Sequence, residues 1–296
     1  MPARAKAHPV VALATCSLLP HLDDDESLVI PALATHDLVA VPAVWDDSSV
    51  DWQEFDLVVV RSAWDYAERR GEFLTWSASL PRVLNSPAVL DWNTNKIYLR
   101  DLAARGIPVV STTWIEPGAR VRAGSIPRGE LVVKPAVSAG ARNTSRYRGD
   151  HEHAARAHID RLLGDGRTVM VQPYLRSVDD AGETGLIYFG GMFSHAINKG
   201  PLLREPGHAT KGLWEPEHIT ACEPRPDERD LAENVLDALP WPRRELLYAR
   251  VDLVRDPAGL PTVLELELAE PSVFLACADQ AAERFAQAIA ARVNED

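Results

Sequence analysis

The chain has 296 residues, 46% hydrophobic and 25% charged, a globular composition long enough for two or three cores. A formal net charge of −12 argues against the basic stripe of a nucleic-acid-binding surface, and no run approaches the ~20 apolar residues of a membrane span. Three cysteines, odd in number and far apart, suit free thiols in a reducing cytoplasm better than a disulfide framework.

The first 90 residues alternate strand-like and helix-like segments. Arg4 and Lys6 ahead of residues 10–19 imitate a short targeting signal. Few apolar residues precede Cys16, however, and four acids follow at 23–26, so the segment reads as a first β-strand. Residues 9–16 and 57–60 are apolar runs suited to parallel strands buried on both faces. Residues 36–44 form a third strand, with crossover helices expected over 26–35 and 68–80. Open sheets of this kind hold ligands beyond the C-terminal ends of their strands. Two clusters fall there: Thr15-Cys16-Ser17 and Arg61-Ser62-Ala63-Trp64-Asp65-Tyr66. The second is either a surface turn around a packed Trp or a ligand-contacting loop, and its concentration of polar chemistry after a buried strand favours contact.

Asn93-Thr94-Asn95-Lys96 then opens a helix that runs to Arg105, Gly106 ends it, and a strand is expected from Ile107. Lys96 stands against the helix dipole, a placement that an anion there would make favourable. Residues 131–135 form a short strand carrying Lys134, followed by a small-residue, hydroxyl-rich loop over 136–148. Its backbone N–H groups can fold over phosphates, although it lacks P-loop spacing and a plain surface loop would look similar. His151, His153 and His158 lie on a helix without the H-E-x-x-H pattern and read as a solvated face rather than a metal site. The strand from 169 to 175 breaks at Pro173, which leaves backbone groups free for the edge of a planar ligand. A hairpin about Gly190-Gly191 follows, with Asn198 and Lys199 at its end. Residues 200–226 read as a long loop, 227–239 as a helix, and 278–293 as the closing amphipathic helix.

The most informative stretch is 246–272. Two runs of every-second-residue alternation flank a turn at Asp256-Pro257-Ala258-Gly259, the mark of a hairpin. Arg250 and Asp252 share one strand face, and Glu265 and Glu267 share a face of the other. Val251, Leu253, Leu264, Leu266 and Leu268 point the opposite way. Three carboxylates on one surface repel unless a metal or a basic group neutralises them, and oxygen ligands without His or Cys favour Mg²⁺. A solvated strand face is the competing reading.

Taken in order, Asn95-Lys96 before a helix ending Gly-Ile-Pro, Val-Val-Lys-Pro before a small-residue loop, Val-Gln-Pro-Tyr-Leu, and Val-Asp-Leu-Val with Leu-Glu-Leu-Glu resemble the ATP-grasp superfamily near its glutathione-synthetase-like members. The likeness spans roughly residues 9–275, and its force lies in several weak motifs kept in order. It implies an α/β fold with α+β central and C-terminal parts. An N-terminal open parallel α/β substrate domain (1–90) precedes a small lid-like central domain (91–177) and a C-terminal antiparallel-sheet domain with a metal site (178–296). The resemblance assigns Lys96 and Lys134 to ATP phosphates, Ser138, Ala139, Gly140 and Asn143 to the loop that covers them, Gln172, Pro173, Tyr174 and Leu175 to the adenine edge, and Asp179 to the ribose. Asp252, Glu265 and Glu267 fall where the family holds its Mg²⁺, expected as two ions; the usual pattern is Glu-x-Asn, and Glu267 replaces the Asn. Arg250 and Lys199 would neutralise the reacting carboxylate and phosphate.

Such enzymes activate a carboxylate as an acyl phosphate for attack by nitrogen. Within the superfamily, Thr15-Cys16, the 61–66 loop, residues 193–199 and 264–271 are similar to a cyclo-ligase acting on O-ureido-D-serine. That likeness places Thr15, Cys16, Arg61, Ser62, Trp64, Asp65, Glu270 and Ser272 around a small amino-acid-like substrate. The alternatives are an amino-acid or dipeptide ligase using an external amine, and a nucleotide-binding regulatory protein without catalysis. No nucleic-acid or membrane partner is expected, and the oligomeric state is left open.

Overall fold

A computed structural model describes residues 8–119, 126, 128–203 and 217–295. The first sheet is parallel, in the order β2-β1-β3-β4, built from β1 (Val10–Thr15), β2 (Val39–Val44), β3 (Leu57–Val60) and β4 (Val83–Leu84). Apart from Thr15 at its end, β1 is apolar, as is all of β3, because both lie inside the sheet, and from Val11 and Leu57 onward their side chains are wholly buried. Helix α1 (Val29–Ala34), preceded by a 3₁₀ turn at Glu26–Leu28, and α2 (Arg70–Ser79) make the crossovers. Helix α3 (Pro87–Asn93), absent from the sequence reading, starts with Ser86 accepting from the Val89 N–H and Pro87 in its first turn.

After α4 (Tyr98–Ala104) the expected strand at Ile107 forms only an isolated bridge, Val109 to Val263; pairing resumes at β5 (Thr113–Ile115). β5, β6 (Leu131–Pro135), β7 (Ser145–Tyr147) and β8 (Val169–Pro173) make a four-stranded antiparallel sheet in the order β5-β8-β6-β7, with α5 (Glu152–Gly164) across it. His158 of α5 is buried against Tyr147, not solvated, and its pKa drops to about 4 because burial disfavours the imidazolium.

The short α6 (Ser177–Ala181) leads into the third sheet, which orders as β11-β10-β9-β12-β13. Its strands are β9 (Glu183–Phe189), β10 (Met192–Lys199), β11 (Ile219–Cys222), β12 (Tyr248–Arg255) and β13 (Pro261–Glu267). β11 is a correction to the loop expected over 200–226; residues 204–216 of that stretch lie outside the described ones. Helix α7 (Pro226–Asp237) covers one face, and α8 (Ala281–Val293) covers the other while also packing on α1. One core accordingly joins Val11, Leu13 and Val59 of the first sheet to Ile187, Tyr248 and Phe285 of the last unit. That shared core fixes the strand ends of the first sheet against the loop that leaves β13.

Candidate active site

A cavity of about 400 Å³ opens between the C-terminal end of the first sheet, the central sheet and the third sheet. Lys96, Lys134, Lys199 and Arg250 line it together with Glu183, Glu265, Glu267 and Glu270, the two signs interleaved in ion pairs. At the N-terminal side of α4, Lys96 Nζ pairs with Glu265 Oε1 at 2.9 Å and donates to the Ser138 carbonyl at 2.8 Å. Lys134 projects from β6, and among the described residues it forms no ion pair. Burial, assisted by the charges of Lys96 and Lys199, lowers its pKa, although Glu265 opposes this. A buried ammonium held only by distant carboxylates is a ready partner for an anion.

Ser138, Ala139 and Gly140 line the cavity, and Gly140, Ala141 and Asn143 all take left-handed backbone angles. Asn143 does not face the cavity: its Oδ1 accepts from Arg161 at 3.2 Å. Gln172, Pro173, Tyr174 and Leu175 do line it, with Gln172 Nε2 donating to Thr112 Oγ1 at 2.8 Å. Asp179 is drawn aside by Arg146, at 3.0 and 3.1 Å, and by the Tyr174 hydroxyl at 2.6 Å. Arg146 also lies over the Tyr174 ring, 3.5 Å from its centroid.

The hairpin register sets Arg250 opposite Glu267 and Asp252 opposite Glu265. A bulge then leaves Leu264 unpaired and turns it into the cavity rather than onto the apolar face where strict alternation had placed it. Asp252 is 1% exposed. Arg250 grips it with Nε at 2.8 Å and Nη2 at 3.0 Å, and Lys199 Nζ reaches it at 2.9 Å. These cations outweigh burial and hold its pKa at about 2. Arg250 Nη2 also donates to Glu267. One guanidinium bonds both carboxylates but brings a single positive charge to them. Asp252 dominates, while burial and the charges of Asp252 and Glu265 raise Glu267 to about 7. Glu270 is raised to about 8 by burial and then by Glu267, and the Tyr66 hydroxyl bonds it.

Among the described residues, no three His, Cys, Asp or Glu side chains converge as a ready-made metal cluster. Asp252 has both oxygens taken, so as a metal ligand it has no free oxygen in this arrangement. Glu265 and Glu267 do fit a hard divalent ion. They offer only oxygen, stand two residues apart on β13 and open to the cavity, where burial first and the charges of Asp252 and Glu265 next disfavour a second bare carboxylate and so favour a bound cation.

The expected substrate residues divide. Trp64, Glu270 and Ser272 line the cavity; Thr15, Cys16, Arg61, Ser62 and Asp65 do not. Thr15 bonds the Leu19 carbonyl at 2.6 Å, Cys16 is wholly buried, and Asp65 is held by Trp45 Nε1 at 2.9 Å and by Arg69. Arg61, fully buried, forks onto Glu26 beneath the cavity floor. The Ser62 hydroxyl is buried without a hydrogen-bond partner among the described residues. Tyr66 of the 61–66 loop does line the cavity, while sequence reasoning passed over Glu183, Asp23 and Leu264, which line it too. Glu183 was discoverable, since it pairs in register with Lys199 and meets its Nζ at 3.2 Å.

Residues 11–85 match the family model described as the D-cycloserine synthetase DcsG N-terminal domain. The chain is 38% identical to the cycloserine biosynthesis protein DcsG of Streptomyces lavendulae, over 96% of this chain and 99% of that protein. A crystal structure of D-cycloserine synthetase DcsG superposes with a TM-score of 0.86 at 36% identity, covering 96% of this chain and 100% of the other. A RimK-domain ATP-grasp protein from Sphaerobacter thermophilus superposes with a TM-score of 0.66 at 19% identity, covering 94% and 98%, which shows a shared fold.

Proposed function

The chain belongs to the D-cycloserine synthetase family of ATP-grasp ligases, and we propose that it converts O-ureido-D-serine to D-cycloserine at the cavity between its three sheets. The single observation that carries this reading is the cavity itself. Cations for a triphosphate and carboxylates for a metal line it side by side, next to the ends of the first sheet, in a chain 38% identical to a cycloserine biosynthesis protein.

Lys134 and Lys96 would hold the phosphates of ATP, and the 138–140 backbone would cover them and exclude water that would hydrolyse an anhydride. Gln172 to Leu175 would take the adenine edge, with Leu264 beneath it. Glu265 and Glu267 would hold Mg²⁺, which when bound neutralises charge between the β- and γ-phosphates. Lys199 and Arg250, anchored on Asp252, would face the substrate carboxylate. In the first step a carboxylate oxygen attacks the γ-phosphorus and ADP leaves. In the second, the ureido nitrogen bound to oxygen attacks the acyl carbon, the five-membered ring closes and phosphate leaves. The carbamoyl group departs as CO₂ and ammonia. With one water consumed, the sum is O-ureido-D-serine, ATP and water giving D-cycloserine, CO₂, ammonia, ADP and phosphate. Because nucleophile and electrophile belong to one molecule, the protein has mainly to hold a folded conformer.

Incubation with MgATP and O-ureido-D-serine alone should yield ADP and D-cycloserine in equal amounts by mass analysis. ADP formed only after an external amine is added would replace this reading with an intermolecular carboxylate–amine ligase.

A further inference from the structure

The segment leaving β13 is held in an unusual way. Seven consecutive carbonyls each accept a hydrogen bond from a side chain. Asn85 Nδ2 bonds Leu268 at 2.7 Å, the Tyr248 hydroxyl bonds Ala269 at 2.9 Å, and Trp64 Nε1 bonds Glu270 at 3.1 Å. Arg61 Nη2 bonds Pro271 at 2.7 Å and Arg250 Nη1 bonds Ser272 at 2.8 Å. His195 Nε2 bonds Val273 at 2.9 Å and Phe274 at 3.2 Å. The next two N–H groups, of Leu275 and Ala276, each donate to Asp25 at 2.8 Å. Four of these partners, Asp25, Arg61, Trp64 and Asn85, belong to the N-terminal part of the chain. The segment turns the side chains of Glu270, Ser272 and Phe274 into the cavity, with Phe274 in a left-handed conformation that costs energy for a residue with a Cβ.

Arg61 is the instructive member. It and Glu26 are both essentially without solvent access, at 0% and 1%, and the guanidinium lies against the rings of Tyr248 and Phe285, 4.9 and 5.2 Å from their centroids. A buried ion pair is a poor stabiliser, since well-packed apolar side chains of the same volume commonly do better. What an apolar pair cannot do is deliver a charge-assisted donor to one chosen carbonyl while Glu26 fixes the rest of the fork. The donor lands between the two residues, Glu270 and Ser272, whose side chains enter the cavity.

We propose that Arg61, oriented by Glu26, and Asp25 are positioning residues for the amino-acid substrate. They act through the 268–276 backbone and touch neither substrate nor nucleotide. The inference rests on the proposed cyclo-ligase reading for the identity of that substrate. The first domain thereby acquires a mechanical role, pinning the substrate wall of a site whose nucleotide wall is built by the other two sheets.

The test separates the two ligands. Arg61→Lys keeps the charge opposite Glu26 but loses the fork, and Asp25→Ala removes a half-buried acceptor beside Glu26 while leaving the Arg61 fork itself intact. In both folded variants the KM for O-ureido-D-serine should rise at least tenfold while the KM for ATP stays within twofold. A lowered melting temperature with both KM values unchanged would make the network merely structural and overturn the proposal. So would a parallel rise in both KM values. If Arg61→Lys does not fold, Asp25→Ala alone decides between the same outcomes. If the wild type releases no ADP with O-ureido-D-serine, the substrate reading fails instead, and the same ratio is measured with the amino acid that does support ADP release.

Discussion

Two loops line the cavity, and they are built on different principles. The 136–144 loop faces the lysines. It turns on itself through short-range bonds such as Thr144 N to Ala141 O, uses three left-handed residues, keeps small side chains over 138–141, and is tied to distant residues at a few points, Lys96 to the Ser138 carbonyl, Arg142 to Glu68 and Arg161 to Asn143. The 268–276 loop is instead fastened carbonyl by carbonyl to side chains from the first and third sheets and the loops that follow their strands. A loop that must admit and release a nucleotide benefits from few fixed partners, whereas a wall that must fold one small molecule into a ring benefits from pre-organisation. Glu267 stands where the two meet. It gains a cation from Arg250 only by sharing it with Asp252.

The division can be broken from the nucleotide side first. Lys134→Ala should cost about a thousandfold in kcat/KM, near 4 kcal/mol of transition-state stabilisation, with most of the loss at the ATP step. A loss below tenfold in steady-state kinetics would remove Lys134 from the phosphate site. Glu265→Gln should lower kcat by about a hundredfold and shift the Mg²⁺ requirement upward, with a melting temperature within a few degrees of wild type. An unchanged Mg²⁺ titration would contradict the role given to this carboxylate.

A smaller effect sharpens the meeting point. Glu267 and Glu270 have folded-state pKa values raised to about 7 and about 8, chiefly by burial. A carboxylate with a raised folded value stabilises the protein while protonated and loses that contribution as pH rises through the folded value. Without metal or nucleotide, these two groups should therefore lower the melting temperature as pH rises from about 5 to about 8, between the ordinary carboxylate value and the two folded ones. The fall should be shallower in Glu267→Gln, and MgATP should reduce it by favouring the charged form. A wild-type melting temperature that rises over that range would refute the assignment. Smallest of all, Leu264→Ala should raise the KM for ATP a few-fold and leave that for the amino acid unchanged. The reverse split would move Leu264 to the other wall.

Much of this arrangement was visible in the chain itself. Period-two alternation around Asp256-Pro257-Ala258-Gly259 marked the hairpin, and strand parity put Arg250, Asp252, Glu265 and Glu267 on one surface. The bulge at Leu264 was not visible, because one extra residue in a strand leaves no mark in an alternating run. Strand β11 was hidden by its shortness, four residues after a polar stretch. Helix α3 did carry a signal, Ser86-Pro87, that a search for long amphipathic runs overlooks. Arg61 was misplaced for a physical reason. A polar residue at the C-terminal end of a buried strand is commonly a ligand, and nothing local reveals a partner 35 positions away. The acids at 23–26 showed their purpose only in three dimensions. Asp25 caps two N–H groups some 250 residues on, and Glu26 carries the Arg61 fork.

The reaction assigned to this cavity is tested most directly by following oxygen. With O-ureido-D-serine labelled with ¹⁸O at both carboxylate positions, MgATP and no added amine, one label should appear in inorganic phosphate and the other in the carbonyl of D-cycloserine. Unlabelled phosphate, or labelled phosphate only when a second amine is supplied, would contradict activation of this carboxylate for intramolecular ring closure.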